Sequence, residues 1–167
     1  MDSKTFANMI YTASENMDIS PIFMTAQAAL ESGWGKEVIG KYNFFGITAD
    51  EEYTGKTIMV RTREVFSTPN QKLQKNWILH SVTKRTDGKG YDYDLSRPFR
   101  DYDTLEQALN DHFDILRSDN FKEAWPFRED PVKFVTALQA GTKKYATDPN
   151  YVSTMKSMFK SVQRLIA

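Results

Sequence analysis

The chain has 167 residues, 40% of them hydrophobic and 26% charged, with 22 basic side chains balancing 22 acidic ones. That length and composition suit one folded domain with its own core. The zero net charge speaks against a nucleic-acid binder or a polybasic membrane anchor, both of which carry a basic excess.

There is no cysteine, which rules out disulfides, thiolate nucleophiles and cysteine-ligated zinc. His80 and His112 are the only histidines, so no metal and no cofactor is expected. Residues 1–20 carry Asp2 and Glu15 and lack the continuous apolar stretch of a signal peptide. No segment approaches the ~20 apolar residues that span a bilayer, so membrane insertion is not expected.

In chain order, residues 3–17 read as a helix capped by Ser3 or Asp2, with Phe6, Met9, Ile10 and Ala13 on one face. Ser20 and Pro21 supply an N-cap and a first helical residue for the next helix. It is rich in alanine and apolar on most sides, which predicts a central, buried helix ending at Ser32-Gly33. Residues 57–66 are β-branched and nearly alternating, and read as a strand; residues 76–83 are a weaker strand candidate. Residues 86–90 have turn chemistry. Residues 44–100 are therefore expected to form a β-lobe or long hairpin set between helices. Helices resume at Asp103, with Thr104 and Gln107 as a capping box. Another opens at Asp130-Pro131 and the last near Pro149. The sum is a mostly helical α+β domain over residues 1–167, with one β-lobe.

Two carboxylates are candidates for chemistry. Glu31 ends the apolar helix in Ala28-Ala29-Leu30-Glu31-Ser32-Gly33-Trp34-Gly35. Apolar surroundings and the negative end of the helix dipole both disfavour its charged form and raise its pKa, which suits a general acid. Gly33 and Gly35 would let a bulky substrate approach the backbone. Trp34 offers a ring face of the kind that packs against sugars. On spacing alone, a solvated helix end with Gly33 as C-cap is the stronger explanation. Glu64 lies in the predicted strand. It could be the second carboxyl that glycoside hydrolysis generally needs, or a surface residue paired with Arg61 or Arg63, and spacing alone favours the latter. The clustered aromatics, Tyr42, Phe44, Phe45, Tyr91, Tyr93, Phe99 and Tyr102, are either core or a sugar-binding wall.

Four blocks in order carry a resemblance. They are Ala-Leu-Glu31-Ser-Gly-Trp-Gly; Tyr42-Asn43-Phe44-Phe45-Gly46-Ile47; Thr62-Arg63-Glu64 followed by Pro98-Phe99-Arg100-Asp101-Tyr102; and Tyr145-Ala146-Thr147-Asp148-Pro149-Asn150-Tyr151. Together they are similar to glycoside hydrolase family 73, the bacterial peptidoglycan glucosaminidases, over roughly residues 5–165. The resemblance implies a lysozyme-like helical body whose β-lobe flanks the active-site groove. It implies hydrolysis of the β-1,4 bond after N-acetylglucosamine in the glycan strands of the cell wall, in the periplasm or outside the cell. Glu31 falls on the family's general acid, Glu64 on its β-lobe carboxylate, and Tyr145 beside the scissile sugar. Trp34, Asn43, Phe44, Phe45 and Asp148 form the implied substrate-binding set. Tyr151 is expected to pack against the body.

The stretch between Glu64 and Phe99 departs from the family in being longer and more irregular. Peptidoglycan is the expected partner, and the chain is read as a monomer. A phage lysin, a secretion-system effector or a fragment of an autolysin would each look like this. A lytic transglycosylase or muramidase on the same fold, or a non-catalytic wall-binding or virion module, are the competing expectations.

Overall fold

The computed structural model describes residues 1–167. Helices α1 (Ser3–Ser14), α2 (Pro21–Ser32), α3 (Leu105–Leu116), α4 (Pro131–Ala140) and α5 (Tyr151–Ile166) make the body. Strands β1 (Thr57–Phe66), β2 (Ile78–Lys84) and β3 (Tyr91–Arg100) make the lobe. The architecture is α+β and lysozyme-like, as the sequence led one to expect. No helix is long and apolar enough to cross a membrane.

Local chemistry explains the helix ends. The Asp2 carboxylate accepts from the Thr5 N–H at 2.8 Å and starts α1. Ser20 accepts from the Phe23 N–H and Pro21 occupies the first position of α2. Thr104 caps α3 through the Gln107 N–H. α1 stops at Ser14, three residues before the expected end, and α5 begins at Tyr151, two after Pro149. Asp148 does not cap α5 directly. Its carboxylate accepts from the Asn150 N–H at 2.8 Å in a turn just before the helix.

The body's core collects Phe6 and Ile10 from α1, Phe23 and Met24 from α2, and Leu109 and Leu116 from α3, all essentially inaccessible. Phe134 and Leu138 of α4 and Met155 and Phe159 of α5 close it. Each such side chain contributes about 1.5–3 kcal/mol by leaving water. α2 is buried along most of its length, which makes it the central helix its alanines predicted.

The sheet is antiparallel, in the order β1-β3-β2. β1 and β3 pair from Thr57↔Arg100 to Phe66↔Tyr91. β3 was not legible as a strand, because Pro98 and alternating aspartates argue against a central one. The register resolves this. β2 pairs with β3 only over residues 91–96, so beyond Ser96 the β2 side of β3 is free of that neighbour and Pro98 interrupts no β2 pairing.

The sheet carries a small core of its own. Tyr93 is 1% exposed, meets Phe66 edge-on at 4.9 Å, and donates its hydroxyl to the Thr68 carbonyl at 2.8 Å. Lobe and body meet at a narrow neck. Arg100 binds Asp111 of α3 at 2.8 Å and stacks on Tyr53, while Tyr102 donates its hydroxyl to the same Asp111 carboxylate.

Candidate active site

Glu31 sits in the last turn of α2 and is exposed. Water reaches it from outside, yet the chain around it is dense enough that burial pushes its carboxyl above the ordinary value. The segment after it is unusual. Gly33, Trp34 and Gly35 have φ of 55°, 62° and 78°, three left-handed residues in a row. For Trp34 this costs about 1–2 kcal/mol, and strain of that kind concentrates at functional sites.

Several bonds hold the turn. The Trp34 N–H donates to the Ala29 carbonyl at 2.9 Å, and the buried Ser32 hydroxyl accepts from the Gly35 N–H at 2.8 Å. Gly33 is the left-handed C-cap, with its N–H on Ala29. Gly35 has a different reason from the expected one. A Cβ there would lie 2.7 Å from the Phe6 ring, so internal packing requires glycine at this point. Trp34 stays half-buried, edge-on to Phe6 at 6.3 Å.

One turn before Glu31 lies a buried polar cluster in which Gln27 and His112 belong to no motif read from the sequence. Gln27, one turn earlier on α2, is inaccessible. Its Oε1 is 2.6 Å from His112 Nε2, and its Nε2 donates to the Tyr151 hydroxyl at 2.8 Å. His112 is 1% exposed and stacks on Phe45 with ring centroids 3.9 Å apart. Burial pushes His112 down to about 3, so it is neutral. Tyr145 stacks on Tyr151 at 5.8 Å and meets Phe121 on its other side. Burial pushes both tyrosine hydroxyls up, and the Glu31 charge pushes them further. Gln139 of α4 fixes the Tyr145 segment by gripping Ala146, accepting from its N–H at 2.8 Å and donating to its carbonyl at 2.9 Å.

The other expected site residues fall into two groups. Asn43, Phe44 and Phe45 are buried, at 1%, 6% and 6% exposure. The Asn43 amide donates to the Ile47 and Arg100 carbonyls and its oxygen accepts from the Ile47 N–H, which leaves it no free group for a sugar. Phe44 packs on Phe6. In this structure the three build the neck and the floor and present no wall to a glycan. Asp148 is exposed beside the Tyr145 segment.

Glu64 stands apart, on the lobe. Its carboxylate pairs with Arg97 at 3.0 Å, not with Arg61 or Arg63. Arg61 binds Asp94 instead. Arg97 is itself set against the rings of Trp77 and Phe99. The structure thus gathers Glu31, Tyr145 and Tyr151 in the body and holds Glu64 in the lobe by a cross-strand arginine. No group of three or more His, Asp or Glu side chains is arranged to hold a metal ion.

Comparison with known proteins gives a consistent picture. The family model for glucosaminidase, described as mannosyl-glycoprotein endo-β-N-acetylglucosaminidase, matches residues 7–164. A probable N-acetylmuramidase of Lactococcus lactis subsp. lactis is 30% identical over 151 residues, which is 85% of this chain and 28% of that protein. Among solved structures, a C-terminally truncated glycoside hydrolase domain of Salmonella typhimurium FlgJ superposes with a TM-score of 0.68 at 28% identity, covering 98% of this chain and 99% of that one. The catalytic domain of the Listeria monocytogenes autolysin Auto gives 0.69 at 29% identity, covering 98% and 85%. The chain spans about a quarter to just over a third of the length of these curated relatives.

Proposed function

From the premise that this chain belongs to the glucosaminidase family, glycoside hydrolase family 73, we propose that it hydrolyses the β-1,4 bond after N-acetylglucosamine in peptidoglycan, with Glu31 as the general acid. One observation carries the residue assignment. Glu31 is a water-accessible carboxyl whose surroundings favour its protonated form, one turn beyond Gln27, which holds the stacked pair Tyr151 and Tyr145 by its bond to the Tyr151 hydroxyl. Such a group holds a proton where a glycosidic oxygen can take it.

In the step proposed, the Glu31 O–H bond breaks and its proton goes to the leaving oxygen. The bond from the anomeric carbon to that oxygen breaks, and its electron pair stays on the oxygen. Water supplies the new hydroxyl at the anomeric carbon, and its remaining proton passes to a base. Glu64, ion-paired with Arg97, is the residue on the lobe suited to receive that proton or to stabilise the developing positive charge. Trp34 and Tyr145 line the approach to Glu31. The work site is the bacterial cell wall.

A muramidase is the second reading, because the Lactococcus relative carries that name. Digestion of purified peptidoglycan, followed by mass spectrometry of reduced products, separates the two. New reducing N-acetylglucosamine ends support the proposal, and new reducing N-acetylmuramic acid ends overturn it.

The pH profile follows from the direction of the Glu31 shift. An acid must be protonated to act, so kcat should fall as pH rises through the raised Glu31 value. The alkaline limb should therefore lie above the ordinary glutamate value of 4.5. Measurement of kcat against pH on soluble glycan fragments checks this. A limb at or below 4.5 would assign the acid elsewhere.

A further inference from the structure

The buried cluster one turn before Glu31 has a direction, and that direction follows from counting donors. Gln27 joins His112 on one side to Tyr151 on the other, and two arrangements satisfy both contacts. In the first, His112 Nε2–H donates to Gln27 Oε1, and the amide nitrogen donates to the Tyr151 oxygen. His112 Nδ1 is then a bare acceptor. In the second, the amide is reversed, Tyr151 donates to it, and it donates to His112 Nε2. The ring hydrogen must then sit on Nδ1. That atom is buried with no partner. An unpaired buried N–H is rarer and costlier than an under-used acceptor. The doubly protonated ring is excluded by burial. The first arrangement is the one the structure favours.

Its consequence reaches the surface. The Tyr151 oxygen accepts from Gln27, so its own hydrogen is free to be given elsewhere. Tyr145 stacks on the Tyr151 ring, with centroids 5.8 Å apart. Glu31 stands one turn beyond Gln27 on the same helix, and its charge raises both tyrosine hydroxyls.

We propose that Gln27 and His112 are a positioning pair, which fixes the amide so that the Tyr151 hydroxyl is left as a hydrogen-bond donor toward the Glu31 side of the site. Neither residue touches the glycan. The pair acts through Tyr151, whose hydroxyl favours the Glu31 carboxylate once its proton has gone to the leaving oxygen. The inference rests on the assignment of Glu31 as the acid, and deepens it.

Two variants separate donor from packing. His112→Phe keeps an aromatic ring for the Phe45 stack and removes the donor. His112→Gln loses the ring and keeps an N–H for Gln27. A positioning role predicts that His112→Phe lowers kcat about tenfold on soluble glycan fragments with KM within about twofold, while His112→Gln stays within about threefold of wild type. If the site needs only a filled core, the order reverses and His112→Gln is the poorer enzyme, which overturns the proposal.

The ring tautomer of the wild-type protein, read by nitrogen-15 NMR, needs no variant to fold. A hydrogen on Nε2 is expected. A hydrogen on Nδ1 overturns the pair while leaving Glu31's role intact. Full activity of Glu31→Gln removes the assignment beneath the proposal, and with it the proposal.

Discussion

Glu31→Gln should abolish hydrolysis and leave the fold intact. The amide has nearly the shape of the acid but holds no transferable proton. Loss of a positioned general acid costs about 10²–10⁴-fold in rate, and a loss of about 10³-fold is expected here. Stability should not fall. Glu31 is exposed, so little packing is at stake. Its folded pKa is raised, so the folded state holds the proton more tightly than the unfolded chain does. The stability it contributes is therefore present at low pH and lost as pH rises through the raised value. Glutamine removes that dependence, and the variant should melt at or slightly above the wild-type temperature at neutral pH. Product release from soluble glycan fragments and a thermal melt check both halves. Activity of about a tenth of wild type in a folded variant would sink the assignment.

Glu64→Gln should lower kcat about 10²-fold while glycan binding persists. The role proposed for this carboxylate is to take a proton from water or to stabilise positive charge, and an amide does neither. Its partner Arg97 would remain between Trp77 and Phe99, so the strand should keep its place. The ion pair is partly exposed, at 23% and 31% for the two side chains. Such pairs are worth about 0–1 kcal/mol, so the melting temperature should move little. Binding to insoluble peptidoglycan, measured by co-sedimentation, should match the wild type. A fully active variant would direct attention to the acids of the preceding loop. Glu52 would be the first to test, since the Glu51 carboxylate already accepts from the Lys75 N–H.

Much of this was legible in the sequence, for reasons that differ by residue. β1 was read with its observed bounds because ten near-alternating, β-branched residues leave little choice. α2 and its end were legible because Ser20, Pro21 and Gly33 each do a local job. What was missed depends on contacts between distant residues. Arg97 reaches Glu64 across a strand pairing that Pro98 had concealed. Gln27 meets His112 and Tyr151 at separations of 85 and 124 residues. In the sequence His112 is one more position on the inner face of a helix. The only hint of its role was a titratable side chain on an apolar stripe. Tyr151 was expected simply to pack. It does pack, at 4% exposure, and its hydroxyl is also the acceptor that completes the Gln27 amide.

The strand register has a further consequence. Thr57 and Arg100 face each other where the lobe begins, and Phe66 and Tyr91 face each other at its far side. The lobe is thus a closed detour of the chain, leaving and returning at neighbouring points, and the helical body has no stake in how long the detour is. Residues 67–90 could be excised and Phe66 joined to Tyr91 by an Asn-Gly turn, which suits a two-residue hairpin. The shortened chain should keep its helical circular dichroism and its cooperative melt, although Tyr93 loses its cover and catalysis suffers. Loss of the helical signal at room temperature would show that the body depends on the detour after all. If the body stands, lobes of different length can be exchanged on one unchanged helical body, and the choice of glycan can vary without refashioning the residue proposed as the acid.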